Sequence, residues 1–397
     1  MPVVPKLYRV PGLVLLALIL GLPTQAAGAS GFRVLYKFHG EDGSVPLGSL
    51  NRDTEGNLYG TTAAGGASDD GTVFKLAPDG TETVLYSFSF LNGGSSPQAG
   101  VIHDSAGNLF GTVEQGSGGS CECGAVFKLK PDGKTTTLYT FDNMSGAHPL
   151  ASLIHRGGDL YGTAFDGGDM QKCDSGCGVV FRLAPNGSYQ VLHAFRGKKD
   201  GSHPTARLIT DKLGNFYGTT IFGGAFDEGV IFQLSPHGRY RVLYSFTGGA
   251  DGGEPVGRLV KDRAGNLYGT ASSGGISNGN CSGCGTVFKL APDGTYSVLH
   301  AFTGGRDGAF PRAGLLHTRS GKLFGVTESG GGSSNCASGC GTIFGIDTKG
   351  RETVLHRFTG GDGANPVAAL IDGGRNLYGT AQFGGVSGNG VVFTLKK

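Results

Sequence analysis

The chain has 397 residues, 76 of them glycine and none tryptophan, and its 33 basic and 31 acidic side chains leave a formal charge of +2. That near-balance excludes the basic footprint of a nucleic-acid binder, and the lack of tryptophan excludes WD-type and ordinary kelch repeats, whose signatures need it. Glycine far above its usual ~7% can mark disorder, but here it recurs in register with short apolar runs, the pattern of regular turns.

Residues 1–29 read as a signal peptide. Lys6 and Arg9 form a basic start, Pro11 to Leu22 is an uncharged apolar run, and Ala27-Gly28-Ala29 is a small-x-small cleavage site. The run is shorter than the ~20 residues that a membrane span needs. No cysteine follows the site, so no lipid-modified N-terminus is expected. Without Lys6 and Arg9, basic and acidic residues balance at 31 each. Cleavage near Ala29 would release a secreted or periplasmic chain, with no integral membrane segment expected after it.

The first strand pattern is Phe32-Arg33-Val34-Leu35-Tyr36-Lys37-Phe38. Pro46 then opens a short apolar segment through Leu50 (strand A), and the turn Asp53-Thr54-Glu55-Gly56 leads to Leu58-Tyr59-Gly60-Thr61-Thr62 (strand B). A glycine-rich loop precedes Thr72-Val73-Phe74-Lys75-Leu76 (strand C). Pro78-Asp79-Gly80 turns the chain into Thr83-Val84-Leu85-Tyr86-Ser87-Phe88 (strand D). Short β-branched and aromatic runs bounded by Gly, Pro and Asp are the mark of strands and hairpins. No later stretch carries sustained helical periodicity.

This unit returns along the chain. The phrase Asn57-Leu58-Tyr59-Gly60-Thr61 recurs with its aromatic at Phe110, Tyr161, Tyr217, Tyr268, Phe324 and Tyr378, at intervals of 51, 51, 56, 51, 56 and 54 residues. Strand D ends in Phe38, Phe88, Phe141, Phe195, Phe246, Phe302 and Phe358, and strand A is opened by Pro46, Pro97, Pro149, Pro204, Pro255, Pro311 and Pro366. Four strands per unit in seven copies predict an all-β fold, a seven-bladed β-propeller filling residues 30–397 as one domain. A linear β-solenoid is the rival, and it would need caps at both ends. The strand-D pattern at Phe32–Phe38 and the strand-C pattern at 391–395 are each part of a unit; joined, they close the ring and protect its edges. The residue two past each strand-A proline is small (Gly48, Ala99, Ala151, Ala206, Gly257, Ala313, Ala368), which places strand A innermost. Alternating strand direction puts the B–C loops and D–A connections on one face, where variable loops on a rigid scaffold usually carry binding.

All eight cysteines fall in B–C loops: Cys121 and Cys123, Cys173 and Cys177, Cys281 and Cys284, Cys336 and Cys340. Only the longer loops carry a pair, so the cysteines read as staples, and an even count in an exported chain favours disulfides. Cys281-x-x-Cys284 alone has zinc-like spacing, but no loop supplies a nearby histidine, and no metal is expected. Pairing within a loop and pairing across adjacent blades both remain open.

Six residues past the strand-A proline stand Arg52, His103, His155, Thr210, Lys261, His317 and Asp372. They are candidates to line the channel near its lower mouth, with His103 and His155 as neighbours. The mixed set has no consistent ligand type, so a solvated polar lining is preferred to a metal or anion site. His193, His300 and His356 replace strand-D tyrosines and read as packing positions. The Asp-Gly pairs of the D–A connections, among them Asp42-Gly43 and Asp251-Gly252, read as turns rather than calcium loops, since one carboxylate per loop ligates poorly. No nucleophile elbow, HExxH helix or phosphate loop is present. No cofactor is expected, and no catalytic residue is assigned.

The full unit, GNLYGTT…GG…GTVFKLAPDGT…TVLYSF…DG…P, resembles the GloVer tandem repeat of bacterial "choice-of-anchor" proteins. Residues 266–302 carry nearly every element in order, from Asn266-Leu267-Tyr268-Gly269-Thr270 to Val298-Leu299-His300-Ala301-Phe302. The resemblance covers essentially all of 32–397 and implies an exported bacterial surface or periplasmic protein. Many members end in an anchor segment; none is read in the last residues here. The expected function is an exported binding module, a monomer taking a protein or glycan ligand on the B–C and D–A loop face. The alternative is a propeller enzyme, a glycan hydrolase or lyase, with its site at the channel mouth.

Overall fold

The computed structural model describes residue 1 and residues 31–397, apart from 92, 117, 119, 120 and 280. The expected signal peptide and its cleavage site lie outside the described residues. Seven sheets of four antiparallel strands, each in the order A–B–C–D, form the seven blades of a propeller. Strand A is shorter and later than expected, only two or three residues such as Asn51–Arg52, and the Pro46–Leu50 segment before it is not paired into the sheet. In the seventh, the N-terminal strand Phe32–Lys37 pairs with Val391–Lys396, matching Phe32 to Leu395 and Lys37 to Val391. The ring is closed as the repeat pattern predicts.

The recurring phrase has a structural task at each position. Asn57 donates its backbone N–H and side-chain amide to the Asp53 carboxylate at 2.8 and 2.7 Å, tying the A–B turn; Asn108, Asn215 and Asn266 do the same. Leu58 is core. The tyrosine hydroxyl donates to the turn aspartate, as Tyr268 does to Asp262 at 3.0 Å. The glycine lies directly beneath the strand-C phenylalanine paired with it: a Cβ on Gly60 or Gly269 would sit 2.5 Å from Cζ of Phe74 or Phe288, and all seven blades repeat this. Thr61 and Thr270 reach the strand-A carbonyls of Ala99 and Ala313 in the next blade.

Blades are joined by aromatic pairs. The last residue of each strand D is fully buried and meets the strand-C phenylalanine of the following blade edge-on, from Phe38 on Phe74 at 5.1 Å to Phe358 on Phe393 at 5.3 Å. Such pairs add roughly 0.5–1.5 kcal/mol beyond their buried area. Strand D also carries a bulge. Val73 pairs with Tyr86 and Phe74 with Val84, so Leu85 is the extra residue, and a leucine takes this place in every blade. The bulge turns the tyrosine or histidine after it toward the D–A connection. There Tyr244 donates to Asp251 at 2.8 Å and His356 meets Asp362 at 3.0 Å. The same aspartates accept turn N–H groups, so these carboxylates brace turns, and His193, His300 and His356 belong to that brace.

Candidate functional site

The residue before each strand-A proline is left-handed in all seven blades: Val45, Ser96, His148, His203, Glu254, Phe310 and Asn365, with φ between +49° and +59°. Left-handed backbone costs an L-residue with a Cβ roughly 1–2 kcal/mol. The backbone shows what holds it. Each N–H donates to the carbonyl just before the strand-C glycine of the preceding blade at 2.8–3.0 Å, and six of the carbonyls accept from the exit of strand B in their own blade at 3.0–3.2 Å. Each residue therefore clamps two blades. The bridges that pair D–A connections with strand-B exits, such as Ser44 with Ala64 and Ser202 with Phe222, put both sets of loops on this upper face.

The backbone of this rim is uniform, and its side chains are not. His148 Nδ1 lies 2.8 Å from Asp166 Oδ2, and His203 Nε2 lies 3.4 Å from the other oxygen of the same carboxylate. The bond to Asp166 raises the His148 pKa. Burial pulls the Asp166 carboxyl upward, but the two histidines outweigh it and hold it below its ordinary value. Ser96 Oγ donates to Glu114 at 2.9 Å, and Arg312 Nε to Glu328 at 2.7 Å. Burial, and after it the charge of Glu254, raises the Glu228 pKa. Exposed apolar side chains gather on the loops around the rim. Phe222, Phe226, Ile276, Phe383, Val386 and Met170 stand in B–C loops, and Leu91 and Met144 in D–A connections.

Inside the ring is a cavity of about 350 Å³, lined by the start of strand A from every blade. Strand A is innermost. Of the seven candidate channel residues, Arg52 and Asp372 line this cavity. The others belong elsewhere. Lys261 stands over the Tyr217 ring at 4.1 Å in a cleft between blades 4 and 5, His155 lies in a cleft between blades 2 and 3 beside Phe110, and His317 packs against Tyr268 at 5.9 Å. Thr210 pairs with Phe216, and His103 is an exposed residue paired with Leu109. The segment after each proline lines the cavity, and the short paired strand that follows it brings Lys261, His155 and His317 onto the strand-B aromatic of the preceding blade; Arg52 itself reaches over Tyr378. Among the described residues, no group of three or more His, Cys, Asp or Glu is arranged to hold a metal. Sequence reasoning missed the cavity's Arg207, Arg258 and Arg312. Their signal was an arginine one or three places after a strand-A proline, where most blades carry something smaller.

The cysteines pair within their loops: Cys121 with Cys123, Cys173 with Cys177, Cys281 with Cys284 and Cys336 with Cys340, at Cα separations of 5.1, 5.3, 5.7 and 5.2 Å. The carbonyl of each second cysteine is the one that accepts from the left-handed residue of the next blade. The staple thus sits at the clamp.

The family profile described as the Gloeobacter/Verrucomicrobia repeat matches residues 24–209 and 169–393, two overlapping stretches that run through the blades. The chain belongs to this family. No curated protein matches this Gloeobacter/Verrucomicrobia repeat chain. Among solved structures it is similar to two structures of the extracellular domain of one B. thetaiotaomicron protein, described in one as part of a one component system and in the other as part of a hybrid two component system. Both have a TM-score of 0.58 and 12% identity, covering 92% and 91% of this chain. The chain spans 40% and 39% of their length, and the likeness shows the fold alone. Among the described residues of this repeat protein, no helix is long and apolar enough to cross a membrane.

Proposed function

We propose that this chain is an exported binding propeller that takes a protein ligand on its upper face. The observation that carries the reading is the rim. Seven positions share one strained backbone geometry, yet they present valine, serine, two histidines, glutamate, phenylalanine and asparagine. A turn with only a folding task would favour glycine there, and strain of this kind clusters at functional sites. Eight of the twelve large hydrophobics that stand exposed among the described residues lie on the loops of the same face. Exposed apolar side chains concentrated on one face are a mark of interaction sites. Leu91, Met144, Ile276 and Val386 are aliphatic and cannot stack on sugar rings, which favours protein over glycan. Export near Ala29 fits the expected signal peptide, and the extracellular neighbours are consistent with it.

The test compares the mature protein with a Phe222→Ser, Phe226→Ser, Phe383→Ser, Val386→Ser variant of unchanged melting temperature. Both are cross-linked to the extracytoplasmic proteins of the source cell and applied to a glycan array. A protein partner retained by the parent and lost by the variant supports the reading. Equal capture by both overturns it, and binding to glycans alone replaces the ligand class.

A second reading rests on His148, Asp166 and His203. A carboxylate that orients an imidazole is the arrangement of a general base, so a hydrolase or lyase site at the upper mouth is the alternative. Turnover of a glycan panel that disappears with His148→Asn would favour it.

A further inference from the structure

Blades 4 and 5 depart from the others on the channel wall. The third residue after the strand-A proline is Ser49, Gly100, Ser152, Gly314 or Ala369 in five blades. In the two adjacent blades it is Arg207 and Arg258, and both line the central cavity. Neither has a carboxylate partner among the described residues. The other charges on this wall are engaged: Arg312 with Glu328, Asp372 with Lys397, and Arg52 over the Tyr378 ring.

The Arg258 site is built around its side chain. Gly314 of blade 6 leaves the space that the arginine stem occupies, since a Cβ there would lie 2.3 Å from Arg258 Cγ. The Arg258 Nε is out of contact with solvent and has no hydrogen-bond partner. Burial, and then the charge of Arg207, pushes the Arg258 pKa down to about 10, and burial lowers that of Arg207 as well. Both remain cations at neutral pH. Two neighbouring guanidinium groups inside a narrow cavity, without a counter-charge from the protein, are unfavourable. An oxyanion from solution removes the repulsion between the two cations, because the guanidinium fork matches carboxylate and phosphate geometry.

We propose that the central channel is a binding site for a small oxyanion, a phosphate or a carboxylate, held between Arg207 and Arg258. The cavity admits a free ion or a small acid and not a folded partner. The site is therefore separate from the upper-face surface and does not depend on that reading.

The experiment is thermal denaturation and calorimetric titration of the mature protein with inorganic phosphate in one arm and succinate in the other. The proteins are the parent, Arg207→Gln, Arg258→Gln, Arg258→Lys and, as a cation outside the channel, Lys261→Gln. At least one anion should bind saturably and raise the parent melting temperature. Arg258→Gln and Arg207→Gln should each weaken that binding by about tenfold or more. Arg258→Lys should recover part of it, and Lys261→Gln should match the parent. The arm that saturates identifies the anion class. Without added anion, Arg258→Gln should melt at or above the parent, since it removes an unpaired charge. The proposal is overturned if neither anion gives a saturable shift, or if Arg258→Gln responds as the parent does. It is also overturned if Arg258→Gln melts lower while its anion affinity is unchanged, because the arginine is then structural. The four-residue upper-face variant should keep the full anion response, so failure of one proposal is distinguishable from failure of the other.

Discussion

Phe38 meets Phe74 edge-on at 5.1 Å. Phe38 ends the strand that completes blade 7, and Phe74 lies at the centre of blade 1, so this contact joins the two ends of the ring. Its geometry matches that of Phe246 on Phe288 at 5.3 Å, in mid-chain. Phe38→Ala and Phe246→Ala should each cost about 3–5 kcal/mol, the usual range for emptying a buried aromatic site. Urea denaturation followed by fluorescence and circular dichroism measures both. A cost at Phe38 well below that at Phe246 would mean that the joint is the weaker part of the ring.

Gly269 lies beneath Phe288, and an added Cβ would stand 2.5 Å from the ring. Gly269→Ala should destabilise the protein by about 1–3 kcal/mol through overpacking. Combining it with Phe288→Leu should recover part of the loss relative to the sum of the single changes, since the two sites are in contact. Strict additivity in the double-mutant cycle would show that the phenylalanine is not what demands glycine.

His148 and Asp166 make stability depend on pH. The His148 pKa is raised above its ordinary 6.5, so its contribution is full below that value and fades as pH rises through the folded pKa. The Asp166 pKa lies below its ordinary 3.8, so its contribution is full above that value and fades as pH falls through the folded pKa. Together they stabilise most in mildly acidic solution. The gap in melting temperature between the parent and His148→Asn should be larger at about pH 5.5 than at about pH 8.5. A gap that grows toward alkaline pH would contradict the assignment.

Reduction should loosen the upper face without unfolding the blades. Each disulfide closes a ring of only a few residues, so a Cys336→Ser, Cys340→Ser variant should lose about 2 kcal/mol or less. Hydrogen exchange should quicken first at Asn365, whose N–H rests on the Cys340 carbonyl at 2.9 Å. Non-reducing peptide maps should return the four within-loop pairs; peptides linked between blades would disprove that connectivity.

The blades, their strand order and the ring closure were legible because each signal is written seven times, and a repeated weak signal becomes a strong one. The strand-D bulge was not legible. Val84-Leu85-Tyr86 reads as a continuous apolar run, and only the pairing shows Leu85 as the extra residue. The rim was hidden for the opposite reason. Positive φ at Val45 or Phe310 runs against side-chain preference, and no glycine flags it. The candidate channel ring was placed by counting along strand A as if it ran straight. The paired strand begins only at the far end of that segment, so Lys261 and His317 lie on Tyr217 and Tyr268, and apart from Arg52 and Asp372 the channel is lined by residues nearer the proline.

The clamp at the rim is made by main-chain atoms alone. A side chain at Val45, Ser96, His148, His203, Glu254, Phe310 or Asn365 can therefore be exchanged without removing the hydrogen bonds that hold adjacent blades. Variation at these seven places changes the upper surface and leaves the main-chain bonds between blades in place. A library randomised there should keep those bonds in every folded member while the upper surface changes from one member to the next.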